Sequence, residues 1–425
     1  MLSLSSLTLL ANPGHGNGPT VGLLLAAEAC GRVSGAAVNL IFPDHAALDG
    51  GRQRTVIRNR RNPRLPLRIF FDRTLGGLLA QVTLQDNDFA ANVVALAERQ
   101  PAVQATALAY LAGGLRGLTE LQAEGTEVES TVEFAPDDIT FELSHGSRLR
   151  FLDTPRAYAF FPCLLSDLLR YAVSEGRPRS GGRDLNRPAT VALRHVQTLE
   201  AGYRRIFLPA VHTFSWDAGW RAAPNVEFTP FPRPAPSFDS AQDASPDGGS
   251  PRVSPGIYLM PSGVGSAGDA FIVQAAVELL AQAAQPLAVY MPPTDRPPKA
   301  FSAAFPHAVQ MPAQHIAHPN IRCVIGRAGW GTLWECLNTA QVFVAIPALP
   351  SDDPEIVHNL RTLQATGLAL TWEPGTATSL WRATSDVKAR IQRTLAAFEA
   401  QYGTVDGLEA MTRAILADLR NGLPG

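Results

Sequence analysis

IRCVIGRAGWGTLWE, residues 321–335, joins an apolar run to a turn that holds three glycines, an arginine, two tryptophans and one carboxylate within ten residues. Ile321 to Ile325 reads as a buried strand, LWECLNTA as a helix, and Val342 to Ile346 as the next strand. Strand, glycine turn, helix, strand is the βα unit of a parallel sheet. Gly329 and Gly331 let backbone amides approach a ligand closely, and Thr332 stands where the helix is expected to start. Free amides and the positive helix end favour a phosphate there. Glu335 fits two readings. With Thr332 it makes a capping box that satisfies the first amides of the helix; alternatively its carboxylate accepts hydrogen bonds from a ribose diol beside the phosphate.

The same unit opens both halves of the chain. Leu7 to Leu10, the turn Asn12 to Gly18 and the stretch TVGLLLAAEACG begin the first half. Ile257 to Met260, the turn Pro261 to Gly268, the helical stretch DAFIVQAAVELLAQAAQ and the strand Leu287 to Tyr290 begin the second. Pro232 to Pro255 is rich in Pro, Ser, Asp and Gly and has no hydrophobic period, as a linker should. The expected organisation is an α/β chain with a Rossmann-like domain over 1–231, a linker over 232–255 and a second Rossmann-like domain over 256–425, with helical stretches 387–400 and 407–419 closing the latter. Ligands of such sheets bind at the carboxyl ends of the strands, so two of them facing one another would place a cleft between the domains. Thr140 to Leu143 and Arg148 to Leu152 alternate like a hairpin added to the parallel pattern.

Composition narrows the classes. A length of 425 residues suits two ordinary domains. A formal net charge of −2 argues against a chain that coats nucleic acid. Four scattered cysteines, Cys30, Cys163, Cys323 and Cys336, make no metal-ligand spacing and suit a reducing compartment. The amino terminus has no basic n-region, and no run approaches the roughly 20 apolar residues that span a bilayer. A cytoplasmic protein, free or held at the inner face of the membrane, is expected.

After the strand Val342 to Ile346 comes the loop Pro347 to Asn359, PALPSDDPEIVHN, which a parallel sheet brings to the same rim as the glycine turn. Asp353, Glu355 and Asn359 can hydrogen-bond sugar hydroxyls there; the alternative is that Asp352 and Asp353 merely cap the helix opening at Pro354, and for Asp352 the cap is the preferred reading.

Strand-GRAGWGTLWE-helix-VFVAIP-SDDPEIVHN resembles the donor half of GT-B glycosyltransferases, the fold of two Rossmann-like domains facing each other across a cleft. In phrasing it is similar to peptidoglycan-type N-acetylglucosaminyltransferases and the related UDP-glycosyltransferases. The residues that carry the likeness are Arg327, Ala328, Gly329, Thr332 and Glu335, and it covers residues 256–375. It implies that Glu335 holds the ribose of a UDP-type donor, that amides around Gly331 and Thr332 hold the diphosphate, and that Asp353 and Glu355 face the transferred sugar with Asn359 supporting the loop or the phosphates. The acid-glutamine pair common in this family reads Asp353-Pro354-Glu355 here, so the sugar does not carry over. Ser262, Gly263 and Gly265 correspond in place to a glycine loop near the donor phosphate, and Met311 and Ile316 to contacts with the base.

The opening turn resembles the GH-containing first loop of the same superfamily, which implies that His15 takes the proton from an acceptor hydroxyl; a turn histidine bonded to a carbonyl is the alternative. Asp153 is named as its orienting acid only because it ends an apolar run. Residues 52–73 carry eight arginines (52, 54, 58, 60, 61, 64, 68 and 73) among apolar pieces, which suits an anionic membrane surface or a lipid-linked acceptor, or else a solvated arginine loop.

The function implied is an inverting hexosyltransferase, with the UDP-sugar as co-substrate and no other cofactor, an acceptor that the sequence leaves open with a lipid-linked or hydrophobic one among the candidates, no nucleic-acid partner, and no metal because no acidic metal motif is seen. A nucleotide-sugar epimerase of the same architecture and a non-catalytic nucleotide-sugar-binding protein are the alternatives. A dinucleotide oxidoreductase is disfavoured, since the turns do not follow GxGxxG and no acid clearly ends a second strand.

Overall fold

Runs of Leu, Ile, Val and Phe become buried parallel strands wherever helices cover both faces of a sheet. Two such sheets form in the computed structural model. It describes every residue except 1–4, 15–16, 45–49, 63, 84–88, 123, 147, 154, 176–178, 181–182, 185, 233–252, 262–265, 295–296, 350–351 and 422–425. The chain divides into two units. The first holds Met1–Ala210, Arg221–Thr229 and Asp406–Gly425; the second holds Val211–Trp220 and Pro230–Val405.

The first unit runs β1 (Ser6–Pro13), α1 (Asn17–Ser34), β2 (Ala37–Pro43), α2 (Gly50–Arg60), β3 (Leu67–Asp72), α3 (Arg73–Val82), α4 (Phe89–Ala112), β4 (Thr119–Leu121), β5 (Glu127–Glu129), β6 (Phe141–His145), β7 (Ala157–Phe160), α5 (Leu165–Ser174), β8 (Arg179–Ser180), β9 (Arg183–Asp184), α6 (Asn186–Ala201), β10 (Arg205–Pro209) and β11 (Val226–Thr229). Its main sheet has the order β11-β10-β7-β6-β1-β2-β3-β4-β5, parallel as far as β3 and antiparallel at the β3–β4 and β4–β5 pairs. Successive residues of β1 serve opposite faces: Leu7, Leu9 and Ala11 join the core beneath α1, and Leu10 joins the core with α3 and α4.

The second unit runs β12 (Gly256–Leu259), α7 (Ser266–Ala281), β13 (Ala288–Met291), α8 (Lys299–Ala304), β14 (Val309–Gln310), β15 (Ile321–Gly326), α9 (Trp330–Asn338), β16 (Phe343–Ala345), α10 (Pro354–Thr366), β17 (Leu370–Thr371) and α11 (Ala377–Tyr402). Its sheet is parallel throughout, in the order β14-β13-β12-β15-β16-β17. In chain order that is 3-2-1-4-5-6, the Rossmann arrangement, and the strands from β3 to β11 of the first unit follow the same rule with a seventh strand added.

Three expectations change. The segment 407–419 is a helix, α12 (Gly407–Arg420), but it belongs to the first unit, where Leu408, Met411, Ile415 and Leu416 pack into the core around α1. Conversely, Val211–Trp220, expected in the first domain, belongs to the second. Arg148 to Leu152 forms no strand; Phe141–His145 is a central parallel strand, and the Phe151 and Leu152 amides donate instead to the Glu142 carboxylate, both at 2.7 Å. The expected linker lies almost wholly outside the described residues. No helix among the described residues is long and apolar enough to cross a membrane.

Candidate functional site

In an open parallel sheet, ligands bind where the strand order reverses. In the second unit that point lies between β12 and β15, at the carboxyl end of the strand with which the sequence reading began. β15 ends at Gly326, Arg327 to Gly329 form a tight turn closed by the Gly329 amide donating to the Arg327 carbonyl at 2.7 Å, and α9 starts at Trp330. The helix therefore begins two residues before Thr332, and its N-cap is Gly329, with no side-chain cap. This overturns the capping-box reading: Thr332 is the third helical residue and Glu335 the sixth. The first α9 amides therefore have no side-chain cap, and a Cβ built on Gly329 or Gly331 meets nothing within 4 Å.

The rim is completed by α10. Asp353 is its N-cap, accepting from the Glu355 amide at 2.9 Å. Asp352, read as the cap, instead pairs with Arg327 at 2.6 Å and accepts from the Leu349 amide at 2.8 Å, with its side chain 2% exposed. Arg327 thus enters the site already neutralised by a protein carboxylate. Burial, then the charge of Asp353, pushes the Glu355 carboxyl up to about 7, while Asn359 and Arg327 lower it. Asn359 is fully buried; its Nδ2 donates to the Ala328 carbonyl at 2.8 Å and reaches Glu355 Oε1 at 3.4 Å. Its nitrogen thereby ties α10 to the turn before α9, which supports the loop-holding role and leaves no donor for phosphates. Glu335 is half-buried on α9.

Both tryptophans of the opening motif point inward: Trp330 and Trp334 are 4% and 8% exposed and stack at 5.7 Å. Trp330 Nε1 donates to Thr213 Oγ1 at 2.8 Å, and Thr362 of α10 donates to the Thr213 carbonyl at 2.7 Å. Val211–Trp220 is thus a strap of the second unit that fastens α9 to α10, with Trp216 stacked on His358 and beneath Arg361. Thr213 escaped the sequence reading because a lone threonine between His212 and Phe214 carries no period or motif. Replacing Thr213 with valine leaves the buried indole donor unpaired, which costs about 1–3 kcal/mol. The expected outcome is a melting temperature lower by several degrees with a shifted tryptophan emission, and Thr213→Ser restoring both.

Ser262, Gly263 and Gly265 lie outside the described residues, as does His15. Met311 and Ile316 are buried, and their carbonyls already accept from Tyr258 Oη at 2.7 Å and Gln341 Nε2 at 2.6 Å.

In the first unit the residues around His15 are built into the fold. Asn12 donates to the Leu149 carbonyl at 2.8 Å and to Glu142, whose carboxyl burial pushes up to about 7. The Gly14 amide donates to the His145 carbonyl at 2.7 Å; His145 itself stacks on Phe160 at 4.2 Å, and burial lowers it to about 4, which suits packing rather than proton transfer. The Asp153 side chain is 77% exposed and lies 3.5 Å from Arg150. An acid does follow the second strand of this unit: Asp44 is buried and paired with Arg54 at 2.9 Å. Three arginines of the segment are matched by acids, Arg54 and Arg58 by Glu127 and Arg68 by Glu120.

No protein-family model and no curated protein sequence matches the chain. Solved structures do. UGT2 of Phytolacca americana, complexed with UDP-2-fluoro-glucose and pterostilbene, is 12% identical with a TM-score of 0.56, covering 98% of this chain and 100% of its own. A UDP-glucosyltransferase from Polygonum tinctorium capable of glucosylating indoxyl is 11% identical with a TM-score of 0.56, covering 99% of each chain. The calicheamicin glycosyltransferase CalG4 is 13% identical with a TM-score of 0.53, covering 99% of this chain and 100% of its own. At such identities the likeness concerns architecture: the chain has the GT-B fold.

Proposed function

We propose that this protein is a glycosyltransferase that moves a sugar from a UDP-type nucleotide sugar to a hydroxyl of an acceptor. The observation that carries the reading is the uncapped amino end of α9 at the strand-order reversal of the second unit, with open space over Gly329 and Gly331 and the Glu355–Asn359 group on the neighbouring helix. In this reading the diphosphate takes the free α9 amides, Glu335 takes the ribose diol, Asp353 and Glu355 take the sugar, and Ser262, Gly263 and Gly265 are further phosphate contacts. The acceptor oxygen forms a bond to the anomeric carbon as the bond to the diphosphate breaks, and the acceptor's proton passes to His15. Charge builds on the departing phosphate, where helix amides stabilise it most. A single displacement of this kind inverts the anomeric centre. Four free, buried cysteines suit a cytoplasmic setting. The arginines already matched by Glu120 and Glu127 leave less free positive charge for a membrane face than the sequence suggests.

A thermal-shift screen of nucleotides and nucleotide sugars tests this. At a hundredfold excess over Kd, UDP is expected to add about 2.7 kcal/mol of stability, and Glu335→Ala to remove the shift. No shift with UDP where another nucleotide gives one would overturn the donor assignment. Binding of a UDP-sugar with neither transfer nor epimerisation would favour a non-catalytic binding protein.

A further inference from the structure

On the reading that the second unit binds the donor, the atoms gathered at the amino end of α10 bear on which sugar is transferred. Glu355 contributes a half-buried carboxyl group, and Asp353 adds a second carboxylate at the adjacent cap. Asn359 is 0% exposed, and its nitrogen is engaged by the Ala328 carbonyl and reaches Glu355, which leaves Oδ1 as an acceptor with no partner among the described residues. The cation nearest in sequence to the turn, Arg327, is held by Asp352 at 2.6 Å. With Arg327 paired to Asp352, the balance of charge around Glu355 and Asn359 is negative, and the unpartnered Asn359 atom there is an acceptor oxygen. A sugar hydroxyl offers one neutral donor to such a group, an acetamido group one donor alongside an acceptor, and a uronate carboxylate only repulsion. An ammonium group offers three donors and the opposite charge, and hydrogen bonds that join two charged groups are roughly twice as strong as neutral ones.

We infer that the donor is an amino sugar with a free amine, held as an ammonium ion by the Glu355 carboxylate and Asn359 Oδ1. The ammonium ion then adds to the partial counter-charge that Arg327 supplies to the Glu355 carboxyl and holds it in its ionised form, and the orphaned amide oxygen gains a donor.

Titration calorimetry at pH 7.5 with UDP, UDP-glucose, UDP-glucuronate, UDP-N-acetylglucosamine and the four UDP-glucose analogues that carry one amine at C2, C3, C4 or C6 tests the inference. At least one amino analogue is expected to bind tenfold or more tightly than UDP-glucose, and UDP-glucuronate more weakly than UDP-glucose. In Glu355→Gln, which keeps the shape and removes the charge, the preference for the amine should fall at least tenfold. If UDP binds and no amino analogue exceeds UDP-glucose, the amino-sugar assignment is overturned while the donor site stands. If the preference survives in Glu355→Gln, the amine is held elsewhere and the assignment to this group is wrong. If neither UDP nor any of its sugars binds, the donor reading fails, and this inference with it.

Discussion

Gly331→Asp is expected to leave the protein folded, with a melting temperature at or above that of the wild type, while weakening UDP binding at least a hundredfold. The two effects have opposite signs for one physical reason. Gly331 is exposed in the first turn of α9, and a Cβ there meets nothing within 4 Å, so aspartate fits without displacing any atom. A carboxylate in the first helical turn gains about 0.3–1 kcal/mol from the helix dipole and the uncapped amides, and removing glycine from a helix gains up to about 1 kcal/mol more. That carboxylate also occupies the space proposed for the diphosphate. Two like charges about 4 Å apart at an effective dielectric of about 20 repel by about 4 kcal/mol, which corresponds to roughly a thousandfold in Kd. Gly331→Ala separates bulk from charge and should weaken UDP far less. Calorimetric titration with UDP and scanning calorimetry read the two effects independently; UDP affinity within threefold of wild type in Gly331→Asp would remove α9 as the phosphate site.

The strand, the turn and the helix of this site were legible because each is a local property. Ile321 to Ile325 is apolar enough only for a buried strand, and glycines at 326 and 329 mark where it must stop. The helix start was misplaced by two residues for an equally local reason: threonine is a far commoner side-chain cap than the bare backbone of Gly329, which caps α9 without any side chain. Side chains whose partners come from distant sequence were not legible. Thr213 meets Trp330 across 117 positions and Asn12 meets Glu142 across 130, and nothing in either neighbourhood marks the pairing. Asp352 reads as a cap and proves an ion-pair partner because a cap and an ion pair ask the same of a carboxylate from sequence; only the position of Arg327 separates them.

Deleting residues 406–425 is expected to unfold the first unit while leaving the second cooperatively folded. The apolar period of α12 announces a helix but not its destination, since Leu408, Met411, Ile415 and Leu416 would suit any core. In the structure they are at most 2% exposed within the core of the first unit, and Thr412 lies 3.7 Å from Cys30 of α1. Four such side chains at about 1.5–3 kcal/mol each contribute roughly 6–12 kcal/mol as an upper estimate, comparable to the whole stability of a domain, about 5–15 kcal/mol. Asp418 fixes the helix end: it accepts from Arg204 at 2.8 Å, from Arg205 at 2.7 and 2.9 Å and from Tyr158 at 3.3 Å. Asp418→Asn keeps the apolar face and should cost only about 2–3 kcal/mol, because the two guanidinium groups, 20% and 37% exposed, partly rehydrate. Burial alone would raise the Asp418 carboxyl, but the hydrogen bonds from Arg205 and Arg204 outweigh it and hold it below its ordinary value. Its contribution is therefore complete above about pH 4, the unfolded aspartate range, and disappears as pH falls through the lower folded value. The gap between wild type and Asp418→Asn should stay constant from pH 8 to 5 and close in stronger acid. All six tryptophans, 216, 220, 330, 334, 372 and 381, lie in the second unit, so their emission follows that unit alone, while far-ultraviolet circular dichroism follows both. The deletion should abolish part of the dichroism transition and preserve the tryptophan one; a truncated chain that keeps the full dichroism transition would show that α12 is dispensable to the core it completes.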